Sequence, residues 1–167
     1  WQAVRRHHGE VSWHYHPECE LILIQEGFLT VDLSDETFTL GPGDVVLLGS
    51  SQLHRDHSPS GMLKYIVLQF DLHNYFDQST IPYLQYFNET KVPLSAMNYI
   101  FRENPEARGG AADCIRQIHR EAAEKMSGYE LAVNMLIKKL LLILIRNDTR
   151  GLLADQDRIE RIRLKPV

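Results

Sequence analysis

The sequence predicts a mainly β domain with α-helices appended: short strands closing into a barrel or sandwich, followed by a C-terminal helical pair. Three observations predict it. Short apolar runs separated by turn residues fill the stretch from Glu20 to Asp71. A helical spacing replaces them after Gly109-Gly110, at Ile115, Ile118, Ala122 and Met126. Charge divides at the same point: residues 1–109 hold 7 Lys/Arg against 14 Asp/Glu, whereas residues 110–167 hold 11 against 8. The expected division is therefore a barrel over 1–108, helices packed on it over 109–148, and a tail over 149–167.

The strands follow from local chemistry. Glu20-Leu21-Ile22-Leu23-Ile24 is apolar on both faces and stops at Gly27. Leu29–Leu33 and Thr37–Leu40 flank Ser34-Asp35-Glu36, which reads as a hairpin turn. Gly41-Pro42-Gly43-Asp44 is a turn in which Pro fixes one φ and Gly is free to take a positive one, and Val45–Leu48 follows as a buried strand. Lys64–Asp71 is another strand. Residues 73–108 show no clean period.

In the second part, Ser127 followed by Glu130 reads as a capping box, and Met126 with Leu131 as a hydrophobic staple, opening a helix that runs to Arg146. Only Asn134, Lys138 and Lys139 interrupt its apolar surface. A helix so apolar needs cover on two sides. The barrel supplies one, and the same helix of a second copy is the economical choice for the other. Leu136, Leu140 and Ile143 are the expected central contacts of that homodimer.

The informative segment for chemistry is His14-Tyr15-His16-Pro17-Glu18-Cys19-Glu20. Alternation along a strand gives His14, His16 and Glu20 one parity, which continues through Ile22, Ile24 and Glu26 unless a bulge intervenes. His54, after the Val45–Leu48 strand, is placed to return to the same cavity. Two readings fit these four residues. They are a ligand set for a divalent transition metal such as Zn, Ni, Fe or Mn, or they line a polar pocket and hydrogen-bond to sugar hydroxyls or water. His7, His8, His57, His73 and His119 read as surface residues.

His14-x-His16-x3-Glu20-x6-Gly27 matches the first motif of the cupin barrels, and Gly43-Asp44 with His54 resembles the second. The usual proline before that histidine is replaced by Gly49-Ser50-Ser51, and Gly9 sits one residue off the usual spacing. With His16-Pro17-Glu18 before an apolar strand, the Leu68-Gln69-Phe70-Asp71 strand end and two helices ending in Leu-rich sequence, nearly the whole chain resembles the N-terminal regulatory domain of AraC-type transcription regulators. The tail Arg161-Ile162-Arg163-Leu164-Lys165-Pro166-Val167 looks like the linker entering that family's helix-turn-helix module.

The resemblance implies a bacterial, cytoplasmic, non-enzymatic sensor. Its barrel binds a small effector, often a sugar, its helices dimerise, and it reaches DNA only through a further C-terminal domain. It also implies effector contacts at Glu26, Asp56, Tyr65 and Val67. No cofactor is required by this reading. The alternative is a metal-dependent cupin enzyme, a dioxygenase or isomerase, using His14, His16, Glu20 and His54.

Composition limits the choice further. With 44% hydrophobic and 24% charged residues the chain has the balance of a folded domain. Two cysteines, Cys19 and Cys114, are too few for a disulfide framework. The run Leu140–Ile145 falls far short of the roughly 20 residues a membrane span needs. No signal peptide is visible, and because the chain opens at Trp1, preceding residues are expected. The acidic first part is a poor match for phosphate backbones, so DNA binding is not expected of this piece alone.

Overall fold

The computed structural model describes residues 2–6 (backbone only), 11–58, 62–87 and 92–153. His7, His8, Gly9 and the basic tail at 158–165 lie outside them. Among the described residues, seven strands form two antiparallel sheets. The first has the order β1-β7-β2-β5, from Gln2–Arg6, Lys64–Phe70, Cys19–Glu26 and Val45–Leu48. The second has the order β4-β3-β6, from Thr37–Leu40, Leu29–Leu33 and His54–His57. Together they make the cupin-type barrel that the motifs imply, and three helices follow: α1 (Asn98–Glu103), α2 (Pro105–Glu124) and α3 (Tyr129–Asn147).

Strand periodicity divides the first sheet into two apolar faces. Ile22, Ile24, Val46, Leu48, Tyr65 and Val67 meet the inner residues of the second sheet, among them Val31, Leu33 and Phe38. On the opposite face Leu21, Leu23, Leu47, Ile66 and Leu68 pack under Ile115, Ile118, Ile137 and Leu144 of the helices. The hairpin at 29–40 and the strand at 45–48 stand where turn chemistry puts them.

The stretch 73–108, without period in the sequence, contains short 3-10 turns at Leu72–Tyr75, Ile81–Phe87 and Leu94–Met97, then α1. The buried side chain of Asn98 joins this stretch to the barrel at β5. Asn98 accepts from the Leu47 N–H at 2.7 Å and donates to the Leu47 and Ser95 carbonyls, each at 2.8 Å. β5 is an edge strand, and Asn98 supplies the hydrogen bonds a neighbouring strand would have made.

Two sequence expectations about the helices are corrected. The Gly109-Gly110 boundary lies inside α2, whose N-cap is Asn104, its side chain accepting from the N–H groups of Glu106 and Ala107, with Pro105 in the first turn. Gly110 serves packing, because a Cβ there would lie 3.3 Å from Ile143 Cδ1. At α3 the N-cap is Gly128, in the left-handed region at φ 85°, with no side-chain cap, so Ser127 and Glu130 form no capping box. Met126 and Leu131 are both exposed, at 66% and 68%, rather than stapled.

The dimer contacts also change. Leu140 is buried in its own chain's core, and Leu136 and Ile143 pack partly against it. The apolar residues α3 leaves in solvent are Leu131, Met135 and Leu142, one stripe at helical spacing. The barrel and α2 together cover more of α3 than a helix lying across a sheet was expected to lose.

Candidate functional site

The histidines converge through a route that strand parity does not describe. β2 begins only at Cys19, and the chain bends at Pro17-Glu18. Before the bend it pairs with the other sheet. His14 N–H donates to the His54 carbonyl at 2.9 Å and receives the reverse bond at 3.0 Å, while the Val11 N–H reaches the Asp56 carbonyl at 2.8 Å. His14 is therefore held directly beside His54 on β6. Past the bend, Glu20 enters the first sheet on its inner face, across from Gln69 of β7.

The three imidazoles lie together, with ring centroids 4.2 Å apart for His14 and His54, 5.2 Å for His16 and His54, and 6.1 Å for His14 and His16. One nitrogen of each can be chosen so that all three lie within 4.8 Å of one another. Each Nδ1–H donates to a backbone carbonyl two residues away: His14 to Ser12 at 2.9 Å, His16 to Glu18 at 3.0 Å, His54 to Gln52 at 2.8 Å. Those bonds orient the rings and leave Nε2 as the outward atom. His54 Nε2 is buried and has no hydrogen-bond partner among the described residues.

Glu20 stands beside this trio. Its Oε2 accepts from His16 Nε2 at 3.1 Å and from Gln69 Nε2 at 2.5 Å. The hydrogen bond to Glu20 holds the His16 pKa above its ordinary value against the opposing effect of burial. Burial acts on the Glu20 carboxyl as well, but the bonds from His16 and Gln69 outweigh it, and its pKa falls below the usual one. His54 is pushed down, first by desolvation. The site thus pairs His16 with Glu20, each shifted toward its charged form, beside a His54 shifted toward its neutral form, with Nε2 unpartnered among the described residues.

Of the residues implied as effector contacts, three face inward. Asp56 shares the buried face of β6 with His54, and Tyr65 and Val67 alternate with Gln69 along the inner face of β7. Glu26 does not. The β2–β7 register slips between Ile24 and Glu26, and this bulge turns Glu26 out to solvent, where it lies 3.6 Å from Lys64. Gln69 was missed by sequence reasoning, although its alternation with Val67 and Tyr65 carried the signal. His57, His73 and His119 are half-buried or exposed and lie outside the trio.

A sequence model of the AraC-like ligand binding domain matches residues 3–141. The chain belongs to that family. This AraC-like domain is 25% identical over 159 residues to YdeC of Bacillus subtilis (strain 168), described as an uncharacterised HTH-type transcriptional regulator. The match covers 93% of the chain and 52% of YdeC, so the domain spans about half the length of that relative. Among solved structures, a cupin-2 domain protein of Shewanella frigidimarina is similar at 22% identity and a TM-score of 0.37, over 40% of this chain and 67% of that one. A cupin-like protein of Thermotoga maritima is similar at 22% identity and 0.37, over 42% and 54%. Among the described residues of the AraC-like domain, no helix is long and apolar enough to cross a membrane.

Proposed function

We propose that this chain is the effector-sensing and dimerising half of a cytoplasmic DNA-binding transcription regulator, without catalytic activity of its own. The observation that carries the reading is the family match over 3–141, together with a polar cluster set into an otherwise apolar barrel interior. The effector is a small polar molecule, with a sugar as the first class to try. His54 Nε2 and Glu20 offer acceptors, Gln69 a donor, and Asp56 a further carboxylate on the same lining. An acidic, histidine-lined interior suits a polyhydroxy or cationic ligand over an anionic one. Binding regulates only if the effector prefers one arrangement of the dimer over another.

The donor set also fits a divalent transition metal: three imidazoles with fixed tautomers, one presenting a buried, unpartnered nitrogen. His14, His16 and His54 would hold it, with Glu20 as fourth ligand once it releases His16. When bound, the ion would supply a Lewis-acidic anchor for an effector hydroxyl. His16 must give up its proton for this, so metal affinity is expected to rise with pH. Elemental analysis of protein purified without chelator checks occupancy, and a metal-free result leaves the polar pocket as the reading.

Dimerisation is proposed through α3, by the exposed stripe of Leu131, Met135 and Leu142, packed isologously across a two-fold axis. The most economical test of the whole proposal is the coding sequence downstream of Val167. Two helix-turn-helix units are expected there. A stop codon close behind would overturn the regulator reading in favour of a metal-dependent enzyme.

A further inference from the structure

A cavity of about 680 Å³ opens on the outer side of the first sheet, between the start of β2 and the 72–87 segment. Cys19 lies on its sheet side, and Leu72, Leu84 and Phe87 line it from the segment. It is separate from the histidine cluster, since Cys19 belongs to the helix-side core whereas the next residue, Glu20, turns inward to His16. Its volume falls within the roughly 300–1,000 Å³ of small-molecule sites.

The segment that supplies one wall is tied to α3 by residues outside the lining. The Asp77 carboxylate accepts from the N–H groups of Ser79 and Thr80 and from Lys138 of α3, at 2.9, 3.1 and 2.5 Å. Phe87, which lines the cavity, packs against Phe76 with ring centroids 6.1 Å apart. A wall fixed in this way limits the ordering that ligand binding would otherwise cost.

Among the described lining residues Asp71 is the one carboxylate, and His73, bonded to it, is the one titratable base. Asp71 accepts from the backbone N–H and the Nδ1–H of His73, both at 2.9 Å, and these bonds keep its carboxyl below the usual range. No lysine or arginine is among the described lining residues. We propose that this cavity is a second ligand site for a small amphiphilic amine, its ammonium group against Asp71 and its apolar body along Leu72, Leu84 and Phe87. Asp71 is about half exposed, so water screens its attraction and the apolar contact carries much of the binding. A Kd between about micromolar and millimolar is expected.

The test is calorimetric titration of the whole chain with phenethylamine, and with phenylacetate as the anion of like shape. Saturable one-to-one binding of the amine, with none of the acid, is expected. Asp71→Asn should weaken the amine about tenfold while keeping the turn, because Asn caps as well as Asp. Leu84→Trp, which fills the cavity, should abolish binding. In methyl spectra of the parent, Leu72 and Leu84 should shift while Val31 and Leu33 inside the barrel stay still. No saturable amine binding, equal binding of phenylacetate, an unchanged affinity in folded Asp71→Asn, or shifts confined to Val31 and Leu33 would each overturn the proposal.

Discussion

The two sheets of the barrel are built from similar strands but face different surroundings. The first is covered twice, by the second sheet inside and by the helices outside, so β2 is buried continuously from Cys19 to Ile24 and β5 throughout. The second is covered once, and β3 and β4 alternate buried residues with half-buried or exposed ones. The number of covers, rather than strand propensity, sets how many consecutive apolar residues a strand carries. A polar residue on an inner face is therefore informative. Glu20 and Gln69, cross-strand neighbours on the inner face of the twice-covered sheet, point to the site as directly as the histidines do.

The sharpest way to break this comparison is to shorten one outward side chain on each sheet. Leu23, fully buried under the helices, should cost about 2–5 kcal/mol on mutation to Ala. Thr39, on the uncovered face of β4, should cost no more than about 0.5 kcal/mol. Denaturant unfolding of the two variants compares them, and equal losses would mean that the helices do not cover the first sheet in solution. Asn98→Leu comes next. It strands the N–H and carbonyl of Leu47 at the β5 edge, and each is expected to cost about 1–3 kcal/mol in the same experiment.

The α3 stripe provides a subtler contrast, between apolar residues the chain covers itself and those it leaves in solvent. The proposed dimer predicts that the parent sediments as a dimer and that Met135→Glu and Leu142→Glu give folded monomers. Leu140→Glu should instead fail to fold, because the carboxylate would enter the core. A parent chain that sediments as a monomer at micromolar concentration removes the dimer from the account.

The smallest effect concerns pH. His16, with its pKa raised by the Glu20 bond, contributes stability that is fully present below 6.5 and is lost as pH rises through its folded value. Glu20, lowered, contributes above 4.5 and loses that contribution as pH falls through its folded value. His54, lowered by burial, runs opposite to His16: its contribution is full above 6.5 and fades with acid. The difference in unfolding free energy between metal-free parent and His16→Gln isolates the first term, and it should shrink as pH rises above 6.5. A flat difference would mean that the His16–Glu20 pair does not form.

Much of this arrangement was legible because it is local. Turn residues fixed the hairpin at 29–40, and the continuous apolar run of β2 announced a sheet buried on both faces. The four ligand-type residues stood out by spacing. What the sequence hid depends on partners far along the chain. His14 reaches the site by pairing with His54, not by the parity of β2, and nothing local reveals the bend at Pro17-Glu18 as a crossing between sheets. Glu26 was turned outward by a bulge against β7, and Asn98 owes its role to an edge strand 51 positions away. Leu140 and Leu142 look alike in the sequence, and only the path of α2 decides which of them is covered.

The proposed function has this chain sense while another part of its protein binds DNA. Gel retardation of duplex DNA from upstream of the gene tests it most directly, comparing the full-length product with residues 1–167 at physiological salt. The full-length protein is expected to retard the DNA with a strong salt dependence, and the 1–167 chain to leave it unshifted. Retardation by residues 1–167 alone, abolished by mutating Arg158, Arg161 and Arg163, would contradict it.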